Sequence, residues 1–390
     1  MKGEYDNLLL KHHTILTMDF ELFKMQVAKL ENESYEKCER LLSKKIAVVP
    51  AGRFYRLSIV SLKRWSIDVD YVIDSKPWCS KGNTPWRFNE REYFAEERSA
   101  FVKVYGNSVN YVITSRPYRF EIEKQLLDEG IKPDNIFYMP IRLGKLVPSS
   151  CFIRKQIIDK EFEKIQKASS LLFDDESRKQ LWELLTFFYA DAPIWIEKRP
   201  SEEYFNNGFW ELGDDEVFFD AGMYDGMTSI RFAELCPNYK TIYGVEANPS
   251  NIKMINERLS GYRNVNIYNN ALCNEESSLR FSTEGVGSEG ARLKDNGDIE
   301  VKGLRGDSLN IKPTFIKFDI EGAEFDALCG FEKTIKTYKP KMAVSVYHSL
   351  QDHWRLISKI NEFCPEYKMR LVHHYGYEDL YGTILYASVE

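Results

Sequence analysis

Val217-Phe218-Phe219-Asp220-Ala221-Gly222-Met223-Tyr224-Asp225-Gly226-Met227-Thr228-Ser229 is the stretch on which the fold turns. A short apolar run delivers an acid, a glycine turn follows, and a helical pattern continues to about Leu235. That order reads as a strand passing through a tight turn into a crossover helix. The next apolar run, Thr241 to Val245, ends at Glu246, 26 residues beyond Asp220, a suitable length for one strand-helix-strand unit. An acid at the tip of the second strand is where a Rossmann-like sheet grips ribose hydroxyls. Glycine spacing then separates two kinds of nucleotide. A dinucleotide site needs a second glycine where the backbone approaches the pyrophosphate, whereas here Met223, Tyr224 and Asp225 stand between Gly222 and Gly226. An acid ahead of the turn repels pyrophosphate and suits the cationic amino-acid end of S-adenosylmethionine. Cofactor-binding candidates are therefore Asp220, Gly222, Tyr224, Gly226 and Glu246.

Further strands extend this unit towards the C-terminus. Val265 to Asn269 is followed by Asn270 and Ala271, a pair that either flanks an adenine ring or forms a simple turn. Phe315-Ile316-Lys317-Phe318-Asp319-Ile320-Glu321-Gly322-Ala323-Glu324 places Asp319 and Glu321 at or just past a strand tip. Ligands in open α/β sheets sit beyond the carboxyl ends of strands, so these two acids are catalytic candidates. Glu324 is either part of that site or a first-turn acid that complements a helix dipole. Met342 to Val346 ends at Tyr347-His348, and a histidine at a strand tip is a candidate general base. Its alternative is a hydrogen-bonded core histidine. His353, His373 and His374 default to structural roles.

Towards the N-terminus a second α/β unit is expected. Ile46-Ala47-Val48-Val49, Val69 to Ile73, Tyr111 to Thr114 and Ile136-Phe137-Tyr138 read as short strands, with a helix from Phe120 to Glu129 capped by Gly130. The expected domains are a helical segment over 1–44, a small Rossmann-like domain over 45–150, a helical bridge over 151–210 and a second Rossmann-like domain over 211–390. Gly52 and Asp74 mimic a nucleotide site in the small domain, but a single glycine favours a scaffold or substrate-presenting role. Seven scattered cysteines with no C-x-x-C pair argue against a disulfide framework or thiolate zinc site and suit a reducing cytoplasm. Lys and Arg number 53 against 59 Asp and Glu, a net charge of −6, which disfavours a nucleic-acid partner. No run of about 18 apolar residues suggests a membrane span.

The run FFDAGMYDGMTSIRF, then YGVEANPSNIKMI, NNALCNEE, FIKFDIEGAEFDAL and AVSVYH, resembles an FkbM-type methyltransferase in order and spacing. The resemblance covers about residues 200–390, including Tyr204-Phe205 ahead of the first strand, and FIKFDIEGAE is its most specific block. It implies a class I S-adenosylmethionine-dependent fold and an O-methyltransferase acting on a sugar or other small polar acceptor. It also implies cofactor contact at Asp220, Gly222 and Glu246, with Asn270 near the adenine, and an acceptor face at Asp319 and Glu321. Met223-Tyr224 replaces smaller residues, and Tyr347 stands where the family often has an acid before the histidine. In-line transfer to a hydroxyl needs alignment and a proton acceptor, for which Asp319, Glu321 and His348 are the candidates. A divalent metal on Asp319 and Glu321 is not favoured. The rival readings are a non-catalytic module binding S-adenosylmethionine or a nucleotide-sugar, and an NAD-dependent enzyme using the N-terminal unit. The helical N-terminus is compatible with a homodimer.

Overall fold

The computed structural model describes residues 18–50, 55–64, 67–75, 86–88, 91–115, 118–138, 149–190, 202–205, 208–276, 278–282, 292–293, 299–375 and 382–389. The chain gathers into two units, one comprising Glu21–Lys155 with Thr186–Ile194, the other Met1–Phe20, Gln156–Leu185 and Trp195–Glu390. Among the described residues, no helix is long and apolar enough to cross a membrane.

The first unit contains helix α1 (Phe20–Leu42), β1 (Lys45–Val49), α2 (Tyr55–Arg64), β2 (Tyr71–Asp74), β3 (Trp86–Phe88), β4 (Arg91–Tyr93) and β5 (Ala95–Glu97). It continues through α3 (Arg98–Tyr105), β6 (Val109–Ile113), α4 (Arg119–Asp128) and β7 (Ile136–Tyr138). Its sheet runs β5-β2-β1-β6-β7, with every neighbouring pair parallel. Alternate residues of β1 feed opposite faces, Ile46 and Val48 into one apolar cluster and Ala47 and Val49 into the other. Both faces are therefore covered, as a parallel sheet requires. The four strands expected here form, and Gly130 closes α4 at a φ of +88°. Ala95-Glu96-Glu97 carries no apolar run, so β5 was not anticipated.

The second unit takes α5 (Ser149–Leu171) from Gln156 onwards and α6 (Asp175–Tyr189) up to Leu185, followed by β8 (Val217–Ala221), α7 (Met227–Leu235), β9 (Thr241–Val245), α8 (Pro249–Leu259) and β10 (Val265–Tyr268). The short strands β11 (Ala271–Leu272), β12 (Ser278–Ser282), β13 (Arg292–Leu293) and β14 (Ile299–Leu304) build a separate four-stranded sheet. Next come β15 (Phe315–Phe318), α9 (Glu324–Gly330), α10 (Glu332–Tyr338), β16 (Lys341–Ser345), α11 (Asp352–Phe363), β17 (Lys368–His373) and β18 (Thr383–Ser388).

The main sheet has the order β10-β9-β8-β15-β16-β18-β17, with β18 antiparallel to both of its neighbours. Strand order reverses at β8: the chain first winds outwards to β10, then returns to lay β15 on the other side. That reversal opens a crevice at the carboxyl ends of β8 and β15, the switch point where such sheets bind ligands. One face of the sheet is an aromatic core in which Phe218 stacks on Phe232 at 4.4 Å and on Phe315 at 5.1 Å. The other face packs Phe219 and Phe318 against Phe331. Edge strand β17 is blunted by α6, since Ser177 Oγ accepts from Leu371 N–H at 3.0 Å and Gln180 Oε1 from His373 N–H at 2.8 Å. Mixed α/β architecture is the observed fold class, with a parallel sheet in the first unit and a mainly parallel one in the second.

Candidate active site

The turn after β8 is shaped by what crosses it. Gly222 has a φ of +84°, and a Cβ there would sit 1.9 Å from the Asp319 carbonyl oxygen. Only glycine lets β8 and β15 approach so closely at their tips. Tyr224 adopts the left-handed region at φ +50°, and Gly226 does so at +82° to launch α7. Met223 turns inwards, 1 % exposed, into a cluster with Ile255 and Leu259. Gly244 of β9 makes the room: a Cβ there would lie 2.0 Å from Met223 Sδ. The bulk at this position is thus absorbed by the core.

Asp220 lies beneath the turn, fully buried. Its Oδ1 accepts from Lys317 Nζ at 3.0 Å and its Oδ2 from Ser229 Oγ at 2.7 Å. Lys317, the register partner of Asp220 across β8 and β15, also donates to the Gly222 carbonyl at 2.6 Å. Burial pulls the Lys317 ammonium down, but Asp220, Asp319 and Glu246 more than offset it and leave it above its usual value. At the β9 tip the Glu246 carboxylate accepts from the N–H groups of Tyr224 and Asn248, both at 2.8 Å. Burial raises its pKa. Asn269, not Asn270, reaches back to the Glu246 carbonyl, at 2.9 Å. Asn270 instead donates to the Lys302 carbonyl at 3.0 Å, and Ala271 is buried in β11.

Beyond β15 the chain reverses through two left-handed residues, Glu321 at φ +57° and Gly322 at +103°. Two phenols converge on Asp319: Tyr204 donates to Oδ2 at 2.8 Å and Tyr347 to Oδ1 at 2.9 Å. Burial raises the Asp319 carboxyl, yet Lys317, His348 and the Tyr204 hydroxyl outweigh it and hold it ionised below the usual range. Both phenols are pushed up, by burial first and by Asp319 next. His348 Nε2 stands 3.6 Å from carboxylate oxygens of both Asp319 and Glu321, and Nδ1 lies 2.9 Å from Glu324 Oε1. Burial lowers this imidazole, but Glu324, Asp319 and Glu321 overcome it and push it up to about 9. Glu203 adds a fourth carboxylate nearby, raised by burial and by Asp319, with its Oε2 accepting from Tyr375 at 3.1 Å.

Asp319, Glu321 and His348 are therefore brought together. Gly222, Tyr224, Gly226 and Glu246 line the adjoining turn, Asp220 supports it from below, and Asn270 and Ala271 continue past β10. Asp319, Glu324 and His348 each offer one ligand atom within 4.8 Å of the others, which makes them, rather than Asp319 with Glu321, the candidate metal-holding group among the described residues. His353, His373 and His374 are buried in the scaffold, with Nδ1 of His373 against Thr383 Oγ1 at 2.8 Å and Nε2 of His374 against Tyr386 Oη at 2.7 Å. In the first unit Asp74 ends β2, buried, while Gly52 lies outside the described residues. Lys317 had a signal in the sequence, as a lone charge inside the apolar run Phe315 to Phe318. The joint grip of Tyr204 and Tyr347 on Asp319 had none.

Residues 220–378 match the family described as the methyltransferase FkbM domain. No protein with a curated description matches the chain. Among solved structures, the methyltransferase FkbM from Methylobacillus flagellatus KT is similar with a TM-score of 0.66 at 18% identity, over 95% of this chain and 100% of that one. This likeness speaks for the fold. A precorrin-6y C5,15-methyltransferase from Geobacter metallireducens GS-15 gives a TM-score of 0.29 at 15% identity, over 45% of this chain and 82% of that one. Fibrillarin from Aeropyrum pernix, solved with S-adenosyl-L-methionine, gives 0.30 at 13% identity, over 46% and 70%. The stretch that matches the methyltransferase FkbM domain, residues 220–378, holds the β8 turn and the whole Asp319–His348 cluster.

Proposed function

We propose that the second unit is an S-adenosylmethionine-dependent O-methyltransferase acting on a hydroxyl of a small, hydroxyl-rich acceptor such as a sugar or glycan precursor. The observation that carries this reading is the acid-tipped β9 folded against the glycine turn of β8 at the switch point of the sheet. Glu246, which also accepts from Tyr224 N–H, is placed to take ribose hydroxyls. Lys317 lies against Asp220 and His348 against Glu324, which leaves the carboxylates of Glu246, Asp319 and Glu321 in excess around the crevice. That excess of negative charge fits a cationic donor. When bound, S-adenosylmethionine supplies a methyl carbon already activated on a sulfonium.

What remains for the protein is to align an acceptor and to collect its proton. Asp319 already accepts from two phenols and is held ionised, so it fixes charge and orientation. His348 Nε2 faces Asp319 and Glu321 and can take the proton only in its neutral form, which prevails above about pH 9, so turnover should rise towards alkaline pH. Asp319 and Glu321 offer hydrogen-bond acceptors to neighbouring hydroxyls and repel anionic groups, which supports an uncharged acceptor. Calorimetric titration with S-adenosylhomocysteine tests the reading. One-to-one micromolar binding that is lost in Glu246→Ala is expected, and absence of binding to the unaltered chain overturns it.

A further inference from the structure

We propose that the first unit holds a second ligand site, for a nucleoside diphosphate, at the carboxyl ends of β2, β1 and β6. The two sheets share one plan at their centres. β2-β1-β6 repeats the order β9-β8-β15, and the chain reverses at β1 as it does at β8. The registers match residue by residue. Val48 pairs with Val72 and Val112, so two positions further on Pro50, Asp74 and Thr114 stand level at the strand tips. Ala221 pairs with Val245 and Phe318, which sets Gly222, Glu246 and Asp319 level in the same way. One hydrogen bond recurs at both tips: Thr114 N–H donates to the Val49 carbonyl at 2.7 Å, and Asp319 N–H to the Ala221 carbonyl at 3.1 Å. Asp74 is thus the counterpart of Glu246, and the two are 9 % and 8 % exposed. An acid at this tip is where such sheets take ribose hydroxyls.

The other positions differ, and each difference favours an anion. Asp220, the buried acid ahead of the β8 turn, has Val48 as its counterpart, and Lys317 has Val112. The charge that repels pyrophosphate in the second unit is therefore missing from the first. Thr114 puts a hydroxyl where the second unit has the Asp319 carboxylate, and Ser115 adds another; both residues are buried. Arg119 brings a guanidinium into the first turn of α4, five residues past Thr114, and it too is buried. A guanidinium beside the positive end of a helix attracts phosphate.

Glu97 is level with Asp74 on β5, but its carboxylate caps α3, accepting from Ser99 N–H at 3.0 Å and Ala100 N–H at 2.7 Å. Asp74 therefore stands as the acid next to the switch point. A dinucleotide fingerprint places phosphate on glycines after the first strand. Here the groups that suit phosphate come from the β6 side instead, which is why one glycine suffices. Two strand spacings, about 10 Å, separate Asp74 from Thr114, a distance that a ribose carrying two phosphates spans.

Calorimetric titration of the full chain with ADP, GDP, CDP and UDP tests the site. At least one is expected to bind one-to-one, with its dissociation constant raised about tenfold or more in Asp74→Asn, whose folding circular dichroism verifies. The 2′-deoxy form of the same diphosphate should bind the unaltered chain about tenfold more weakly, a test that needs no variant. Glu246→Ala should leave the diphosphate affinity unchanged, since that carboxylate belongs to the second unit. Absence of binding by all four diphosphates overturns the proposal. So does equal affinity in folded Asp74→Asn or for the deoxy form, and so does loss of the diphosphate in Glu246→Ala. Failure to bind S-adenosylhomocysteine would overturn the donor reading alone and leave each of these outcomes decisive.

Discussion

Lys317→Met would remove an ammonium while keeping an unbranched chain of similar length in the core. Asp220 would then retain the Ser229 hydroxyl but lose its cation inside a fully buried site. Breaking a buried ion pair from one side costs about 3–5 kcal/mol, and urea unfolding should show a loss of that order. A loss below about 1 kcal/mol would mean that Asp220 does not depend on this lysine. This pair was half legible: Asp220 stood out at its strand tip, and Lys317 was a charge inside an apolar run. Its function became clear only when β8 and β15 set the two side by side in register. The tyrosines on Asp319 were less legible still, because Tyr204 donates across 115 positions and Tyr347 across 28. Pairing at such separations depends on sheet order, which local patterns do not encode.

Secondary elements show the same division. Strands β8, β9, β15 and β16 were readable as mainly apolar runs delivered to a turn, as buried parallel strands are, while β10, Val265-Asn266-Ile267-Tyr268 at the sheet edge, has no fully buried residue. Strands β17 and β18 were not singled out; β17 follows the crossover helix α11, and β18 then inserts antiparallel between β16 and β17. The small sheet of β11 to β14 escaped notice for a related reason. Its strands are short, and pairing within it is both parallel and antiparallel. Fit between elements gives a sharp test at Gly244. A methyl group there meets Met223 Sδ at 2.0 Å, so Gly244→Ala should destabilise the second unit by about 1–3 kcal/mol through overpacking. Met223→Ala in the same chain vacates that space, and the double variant should recover at least about 1 kcal/mol relative to the sum of the single effects. Strict additivity in chemical denaturation would show that the two residues do not share the space.

For the molecule as a whole, buried histidines set the response to acid. Burial pushes His353 down to about 4 and His373 down to about 3, with His374 and His353 adding to the effect on His373. Unfolded, both would take a proton below about pH 6.5. The unfolded chain thus binds more protons over this window, and stability falls as pH drops from about 6.5 towards 3. Asp352, pushed up to about 6 by burial, acts in the opposite direction together with Glu246 and Glu203, whereas Asp319 and Asp174, held below their usual range, add to the fall. Melting temperature should therefore decline steadily from pH 7 to pH 4, and a flat profile would contradict the neutral burial of these rings. The order of the main sheet also bears on how the chain is made. β18, the last strand in sequence, is an interior strand, with every residue buried between β16 and β17. Until residues 383–388 leave the ribosome, the growing polypeptide presents the open hydrogen-bonding edge of β16, a surface that invites mispairing with other nascent chains. The seam between β16 and β17 therefore closes only after residues 383–388 have emerged, later than the parallel pairings of the same sheet.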